Sequence, residues 1–305
     1  MVVPLYNEAE SISELHDEIC RVCETEKIPF EVIYIDDGSL DRSFEILQSI
    51  HKKDKRVKVI QFRKNFGKAE ALSAGFGATS GERIVTMDAD LQDDPAEIPR
   101  LIQKLEEGYD LISGWKKKRK DTLLKRISSK LYNMVTGLLS GLRIHDMNCG
   151  LKIYRRPVIE SIHIYGDLHR YIPALAKLEG FKVAEIPVNH RPRKYGKTKY
   201  GLSRFTHGLL DLITIMFLSR YTRRPLHLFG LIGLGSTLFG SGITIYLIIL
   251  RITKTIYLSD RPLLFIGVLL LIIGVQFISI GLLGEMITRS QAGDHKHSIR
   301  QTLGV

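Results

Sequence analysis

A chain of 305 residues is longer than one ordinary domain, and it carries 44 Lys plus Arg against 33 Asp plus Glu, a net charge of +11. A mean hydropathy of zero in a chain that is 25% charged requires the apolar residues to be segregated, which excludes a single evenly patterned soluble domain. The positive excess suits either nucleic acid or an anionic membrane, and its placement decides between them.

In chain order, residues 1–5 read as a first strand and 9–26 as a helix with Ile12, Leu15, Ile19 and Val22 on one face. Residues 32–35 form a second strand, 41–50 a helix, 57–62 a third strand, 68–78 a helix and 83–87 a fourth strand. Residues 110–113, 149–154 and 182–187 carry the pattern of further strands. The alternation predicts an α/β, Rossmann-like domain over residues 1–200 with a mainly parallel sheet. Two uninterrupted apolar runs, Val32-Ile33-Tyr34-Ile35 and Ile84-Val85-Thr86-Met87, are those of strands covered on both faces. Each runs into acids: Asp36-Asp37-Gly38-Ser39 after the first, Asp88-Ala89-Asp90 after the second. Ligands of open α/β sheets bind beyond the carboxyl ends of the strands, so the two tips are expected to share one crevice. Carboxylates crowded there need a compensating cation, and oxygen ligands suit Mg²⁺ or Mn²⁺, which in turn grips a diphosphate.

Lys116-Lys117-Lys118-Arg119-Lys120 leads into a helical-period stripe of Leu123, Leu124, Ile127, Leu131, Met134, Val135, Leu138, Leu139 and Leu142, with Lys125, Arg126 and Lys130 off it. A basic amphipathic helix of this type lies in a membrane interface, which assigns the positive excess to an anionic membrane and not to nucleic acid. A second amphipathic, juxtamembrane segment is expected at 201–224. Residues 225–250 and 262–287 are nearly free of charge, Glu285 excepted, and are joined by a loop at 251–261. Each is long enough for a hydrocarbon core of roughly 30 Å, which needs about 20 residues. Arg220, Arg223 and Arg224 before the first span, and Arg289, Lys296 and Arg300 in a tail at 288–305, favour cytoplasmic termini over a loop carrying Arg251, Lys254 and Arg261. No cleavable signal peptide precedes the first strand, so the large N-terminal region is expected in the cytoplasm of a multi-pass inner-membrane protein. Gly233, Ser236 and Gly240 in the first span suit close helix packing and an expectation of self-association.

Three other patterns carry less. Gly75-Phe76-Gly77 with Gly81 precedes a strand instead of following one, unlike a dinucleotide-binding fingerprint. Cys20 and Cys23 form a lone pair inside a helix, with only Cys149 besides, too few ligands for a structural zinc. His16, His51 and His163 stand alone in the sequence and read as surface or packing residues.

Val2-Val3-Pro4-Leu5-Tyr6-Asn7-Glu8, Asp36-Asp37-Gly38-Ser39 with Asp41, Asn65-Phe66-Gly67-Lys68 and Asp88-Ala89-Asp90-Leu91-Gln92-Asp93, in that order, resemble the donor half of family 2 glycosyltransferases of the GT-A fold. Asp146-Met147-Asn148-Cys149-Gly150-Leu151-Lys152 and His190-Arg191-Pro192-Arg193 with Gly196, Thr198 and Lys199 resemble the branch that glycosylates polyprenyl phosphates, where bacterial glucosyltransferases and dolichol-phosphate mannose synthases belong. Thr198 stands where that branch commonly has Ser, and Leu151 where it often has Phe.

The resemblance implies inverting transfer of one hexose, glucose from UDP-glucose foremost and mannose from GDP-mannose as the alternative, to polyprenyl phosphate. It implies nucleotide-sugar contacts from Pro4, Tyr6, Glu8, Asp36, Asp37, Lys68, Asp88, Ala89 and Gln92, a metal on Asp90, and catalytic roles for Asp90 and Asp146. Arg191, Arg193, Lys197, Thr198 and Lys199 would bind the diphosphate and the acceptor phosphate, the four cations among them offsetting their charge. It also implies a homo-oligomer, as large as a tetramer. Asp41, and Asp94 just before Pro95, read as turn or cap residues. A processive polysaccharide synthase is disfavoured because its Gln-x-x-Arg-Trp motif is missing, the single Trp115 following Gly114. A membrane scaffold without catalysis would predict a damaged acidic set, and this one is intact.

Overall fold

In a computed structural model, residues 1–117, 137, 141–142, 144–162, 164–166, 168–195, 225–254, 262–290 and 299–303 are described. The amphipathic helices expected at 123–142 and 201–224 fall almost wholly outside them, as do Lys197, Thr198, Lys199 and His163.

The strands are β1 (Val2–Leu5), β2 (Val32–Asp36), β3 (Val57–Phe62), β4 (Arg83–Thr86), β5 (Leu111–Trp115), β6 (Lys152–Arg155), β7 (Val183–Pro187) and β8 (Ile299–Leu303). They form one sheet in the order β7-β5-β6-β4-β1-β2-β3-β8. β1 through β4 run parallel, β6 runs antiparallel to both β4 and β5, and β7 is parallel to β5. The helices are α1 (Ile12–Thr25), α2 (Ser43–Lys53), α3 (Lys68–Gly77), α4 (Ile98–Glu106), α5 (Arg156–Ser161), α6 (Ile172–Leu178), α7 (Pro225–Lys254) and α8 (Pro262–Ser290).

Period-2 alternation assigns the two faces of the sheet. Val3, Leu5, Val32, Tyr34, Val57 and Val59 share a core with Ile12, Leu15 and Ile19 of α1 and Leu101 and Leu105 of α4. On the other face α3 lies so close to β1 and β2 that a Cβ at Gly75 would stand 2.4 Å from Val2 and 2.7 Å from Ile35. Close packing therefore accounts for this glycine of the Gly75-Phe76-Gly77 pattern. The chain moves outward from β1 to β2 to β3, then returns through α3 to β4 on the other side of β1. That reversal is the topological switch point, where the crevice of an open α/β sheet lies.

Residues 299–303, expected only as part of a tail, pair antiparallel with β3, Ile60 against Thr302 and Gln61 against Gln301. They belong to the same compact unit as residues 1–215, while 216–295 form a second unit. Within that second unit α7 and α8 are the two helices long and apolar enough to cross a membrane, over Leu226–Thr253 and Pro262–Gly284. The glycine stripe on α7 is used between these two helices: a Cβ at Gly233 would meet the Gly274 carbonyl at 2.6 Å, and one at Gly240 the Gly267 carbonyl at 2.7 Å. Small residues let the backbones touch, so the stripe is explained by the hairpin and is no longer a ground for self-association.

Candidate active site

The crevice lies between the end of β1 with the segment that follows it (Pro4 to Glu8), the turn after β4 (Asp88 to Asp93) and the loop before β6 (Asp146 to Gly150). The turn after β4 is wound tightly. Leu91 has φ 61°, and its side chain is buried in the core together with Ala89, which anchors the turn while its ends carry the acids. A non-glycine residue in this conformation costs on the order of 1 kcal/mol, a cost met at sites where geometry is prescribed. Asp88 pairs with Lys68 from the first turn of α3, and its N–H donates to Asp93 Oδ2 at 3.2 Å. Asp93 Oδ1 meets Lys116 Nζ at 2.9 Å. Asp90 Oδ1 accepts from the Gln92 N–H at 3.2 Å, and Oδ2 accepts from Arg193 Nη2 at 2.9 Å.

The 146–150 loop closes on this turn because residue 150 lacks a side chain: a Cβ there would stand 2.6 Å from the Asp88 carboxylate and 2.8 Å from that of Asp93. Asp146 is buried, with Oδ1 accepting from the Asn148 N–H at 3.1 Å. Beside it His145 stacks on Trp115, ring centroids 4.1 Å apart, and pairs with Glu185. Lys152 is buried as well and donates to the Cys149 carbonyl. A small cavity between Pro4, Lys68, Asp88, Asn148, Lys152 and His169 continues the crevice inward.

Charge explains how these groups coexist. Burial alone would raise the Asp88 pKa, but Lys68, Lys116 and Lys152 hold it well below the carboxylate range. Burial opposes the charge of Lys116, yet Asp93 beside it wins and raises its pKa. Lys152 is shifted down, mainly by burial. Burial, then Lys68 and Arg170, depress His169 to about 3, so it is neutral at pH 7. Burial pushes the Cys149 thiol up to about 12, so it offers no thiolate ligand.

The β2 tip is built differently. Asp36 is fully buried, accepting from the Ser39 N–H at 2.9 Å and from Gln61 Nε2 at 3.3 Å. Asp37 accepts from the N–H groups of Phe66 at 2.7 Å and Gly67 at 2.9 Å, and burial raises its pKa. Gly38, at φ 72°, lets the turn pass against the backbone of Lys64 and Asn65. As expected, Asp41 is a turn residue, accepting from the N–H of Ser43 at 3.0 Å and of Ala9 at 3.2 Å. Asp94 caps the turn at Pro95, accepting from the Ala96 N–H at 3.0 Å.

The basic segment after β7 is stapled along the acidic turn. His190 bridges to Asp93, and the Arg191 N–H donates to the Gln92 carbonyl at 2.9 Å. Arg191 holds Glu18 at 2.7 Å and Asp94 at 2.7 Å, whereas Arg193 reaches Asp90, with Glu8 Oε1 at 3.6 Å from the same nitrogen. Of the two arginines, only Arg193 meets the acid expected to hold a metal. Lys116, Asp93, Lys152 and His169 were not singled out by sequence. Lys116 is hidden in a basic run that the sequence assigns to a membrane interface, but it turns inward onto Asp93; Lys152 is marked only by its place in the run after Asp146.

His16 does not stand alone. With Cys20 and Asp54 it forms the one trio of His, Cys, Asp or Glu ligand atoms within 4.8 Å of one another among the described residues. Asp54 is already gripped through both oxygens by Arg56 of its own turn, and burial raises the Cys20 pKa. Fixed in place over the Phe30 ring at 4.3 Å, Arg56 supplies the cation there.

Residues 1–162 match the family model described as glycosyl transferase family 2. The chain belongs to that family. It is 37% identical, over 96% of its length and 88% of the relative's, to a dodecaprenyl-phosphate galacturonate synthase of Rhizobium johnstonii. It is 36% identical, over 95% and 88%, to an undecaprenyl-phosphate 4-deoxy-4-formamido-L-arabinose transferase of Salmonella choleraesuis. In fold, this family 2 transferase is similar to glucosyl-3-phosphoglycerate synthase of Mycobacterium tuberculosis, solved with Mn²⁺, UDP and phosphoglyceric acid, at TM-score 0.54 and 20% identity, covering 72% of this chain and 76% of that one. Mannosyl-3-phosphoglycerate synthase of Rubrobacter xylanophilus gives TM-score 0.56 at 16% identity, covering 71% and 72%.

Proposed function

We propose that this chain transfers a single sugar from a nucleoside-diphosphate donor to polyprenyl phosphate at the cytoplasmic face of the inner membrane, with inversion. The observation that carries the reading is the meeting, at the switch point, of the Asp88–Asp93 turn and the Asp146 loop amid Lys68, Lys116, Lys152 and Arg193. This cationic wall suits two anions, a diphosphate and a phosphate, that must approach each other. The relatives' names support the lipid phosphate as acceptor. β8 and β1 share one sheet, so the chain leaves and re-enters the same folded unit around α7 and α8, which supports two crossings with both flanks on one side.

The donor set fits a hard divalent cation: Asp90, the adjacent Gln92 and no available thiolate. Mg²⁺ or Mn²⁺ held by Asp90 would neutralise the departing diphosphate. Lys68 pairs with Asp88 beside that position, and Gly150 lets the loop that carries Asp146 close on the same turn. A phosphate monoester with a second pKa near 6 is mostly dianionic at neutral pH, so the acceptor oxygen needs no base. Asp146 then acts by placing the acceptor. A direct displacement needs no covalent intermediate on the protein.

UDP-glucose is the donor that the sequence resemblance favours. The galacturonate relative, together with the buried Lys152 beside the crevice, favours a second reading, a sugar bearing a carboxylate. Purified protein should be given polyprenyl phosphate, Mn²⁺ and, in turn, UDP-glucose, UDP-galacturonate, a UDP-linked 4-amino-arabinose derivative and GDP-mannose. Formation of a lipid-linked sugar from one of them supports the function and names the donor; no transfer from any UDP- or GDP-sugar counts against it.

A further inference from the structure

Asp146 is aimed from a loop, and a loop holds a side chain only as well as its own main chain is held. At one end of that loop, Gly150 rests against the carboxylates of Asp88 and Asp93. At the other end the hold comes from the edge of the sheet. β7 pairs in parallel with β5, Ser113 against Glu185 and Trp115 against Pro187. Glu185 Oε2 accepts from the His145 N–H at 2.8 Å, and Oε1 meets His145 Nδ1. The hydroxyl of the fully buried Ser113 donates to the Asp146 carbonyl at 3.5 Å, and the Trp115 ring stacks on the imidazole. The residue before Asp146 and the carbonyl of Asp146 itself are thus fastened to two adjacent strands.

The side chain of Glu185 is 13% exposed, whereas that of His145 is 64% exposed. Pairing with so exposed a ring contributes little to stability, and covering a carboxylate costs energy that its hydrogen bonds must offset. Stability therefore does not account for the acid, but the fixed main chain at residue 145 does. We propose that Glu185 is a positioning residue for Asp146: by holding the His145 N–H it sets where the Asp146 carboxyl meets the acceptor phosphate. This rests on the reading that Asp146 places the acceptor. What the position then requires is reach, an oxygen at the His145 amide, and not charge. Aspartate keeps the charge but draws its oxygens back by one methylene. Glutamine keeps the reach, its oxygen accepting from the amide and its NH₂ group facing the ring nitrogen.

Initial rates test this on the full chain in detergent at pH 8, with Mn²⁺, varied polyprenyl phosphate, and UDP-glucose or UDP-galacturonate as donor. Glu185→Gln should stay near wild type. Glu185→Asp should lose about tenfold in kcat/KM for polyprenyl phosphate, the scale of a small misplacement at a reacting centre. Its donor KM, its affinity for UDP with Mn²⁺ and its unfolding midpoint should not change. The reverse order, E185D near wild type and E185Q impaired, would make charge the requirement and overturn the inference. Wild-type rates in both variants would overturn it as well, leaving Asp146 in place if Asp146→Ala is inactive. A fall in UDP affinity or thermal stability that accounts for the lost rate of E185D would mark Glu185 as structural and refute the positioning role. Wild-type turnover by Asp146→Ala would instead refute the reading of Asp146 on which the inference rests.

Discussion

The β2 and β4 tips read alike in sequence, each an apolar strand ending in paired acids, yet they are neutralised by different partners. At the β2 tip, Asp36 and Asp37 bond mainly to main-chain amides, those of Ser39, Phe66 and Gly67. At the β4 tip, Asp88, Asp90 and Asp93 bond to the side-chain cations Lys68, Arg193 and Lys116. An amide is fixed by the fold and cannot be exchanged for a ligand without rebuilding the turn. A side-chain cation can give way to a metal or a phosphate. Under the proposed function the first tip would be a wall of the crevice and the second its working edge, and substitutions at the two should fail in different ways.

The sharpest separation is expected from Asp90→Asn. Transfer should fall about 10³-fold, the scale of lost charge stabilisation at a reacting centre, with thermal unfolding unchanged; a folded variant with wild-type turnover would erase the distinction. Gly150→Ala comes next, because its methyl group would drive the 146–150 loop off the Asp88 and Asp93 carboxylates. A displacement of this kind costs about 10²-fold in rate, measured as turnover at saturating donor.

At the β2 tip, Asp37→Ala leaves two part-buried amides without their acceptor and should destabilise the α/β unit by about 2 kcal/mol. Chemical denaturation monitors it, and an unchanged midpoint would contradict the structural role. A smaller effect is expected at His169. Its folded pKa of about 3 lies below the ordinary value of 6.5, so the unfolded chain binds the extra proton. Stability should therefore fall as pH drops below about 6.5 and continue to fall toward 3. His169→Asn should flatten that acid limb without changing stability at pH 8, as read from unfolding midpoints across the range.

Much of this contrast lay within reach of the sequence, and part of it did not. Both strand tips, the parallel core and the two long apolar helices follow from local pattern, because burial on both faces and length write themselves into continuous apolar runs. The side-chain cations that pair with the acids of the β4 tip lie 20 to 103 residues away, as in Lys68 with Asp88 and Arg193 with Asp90, and no local period records such distances. Lys116 sits in a run of like charges and pairs with Asp93 because β5 ends beside the β4 turn. The strand at 299–303 is a short polar segment without strong alternation; it becomes a strand only by pairing with β3. Gly233 and Gly240 were legible as contact points, but their partners, Gly274 and Gly267, lie in the neighbouring helix of the same chain.

The most direct measurement is lipid-product formation by purified protein and its Asp90→Asn variant, with polyprenyl phosphate, Mn²⁺ and labelled nucleotide sugars. The wild-type protein is expected to form a sugar-phosphate-lipid that is lost in the variant and in excess chelator. Product formed equally well by the variant, or by wild type in chelator, would contradict the assignment of the β4 tip as the working edge.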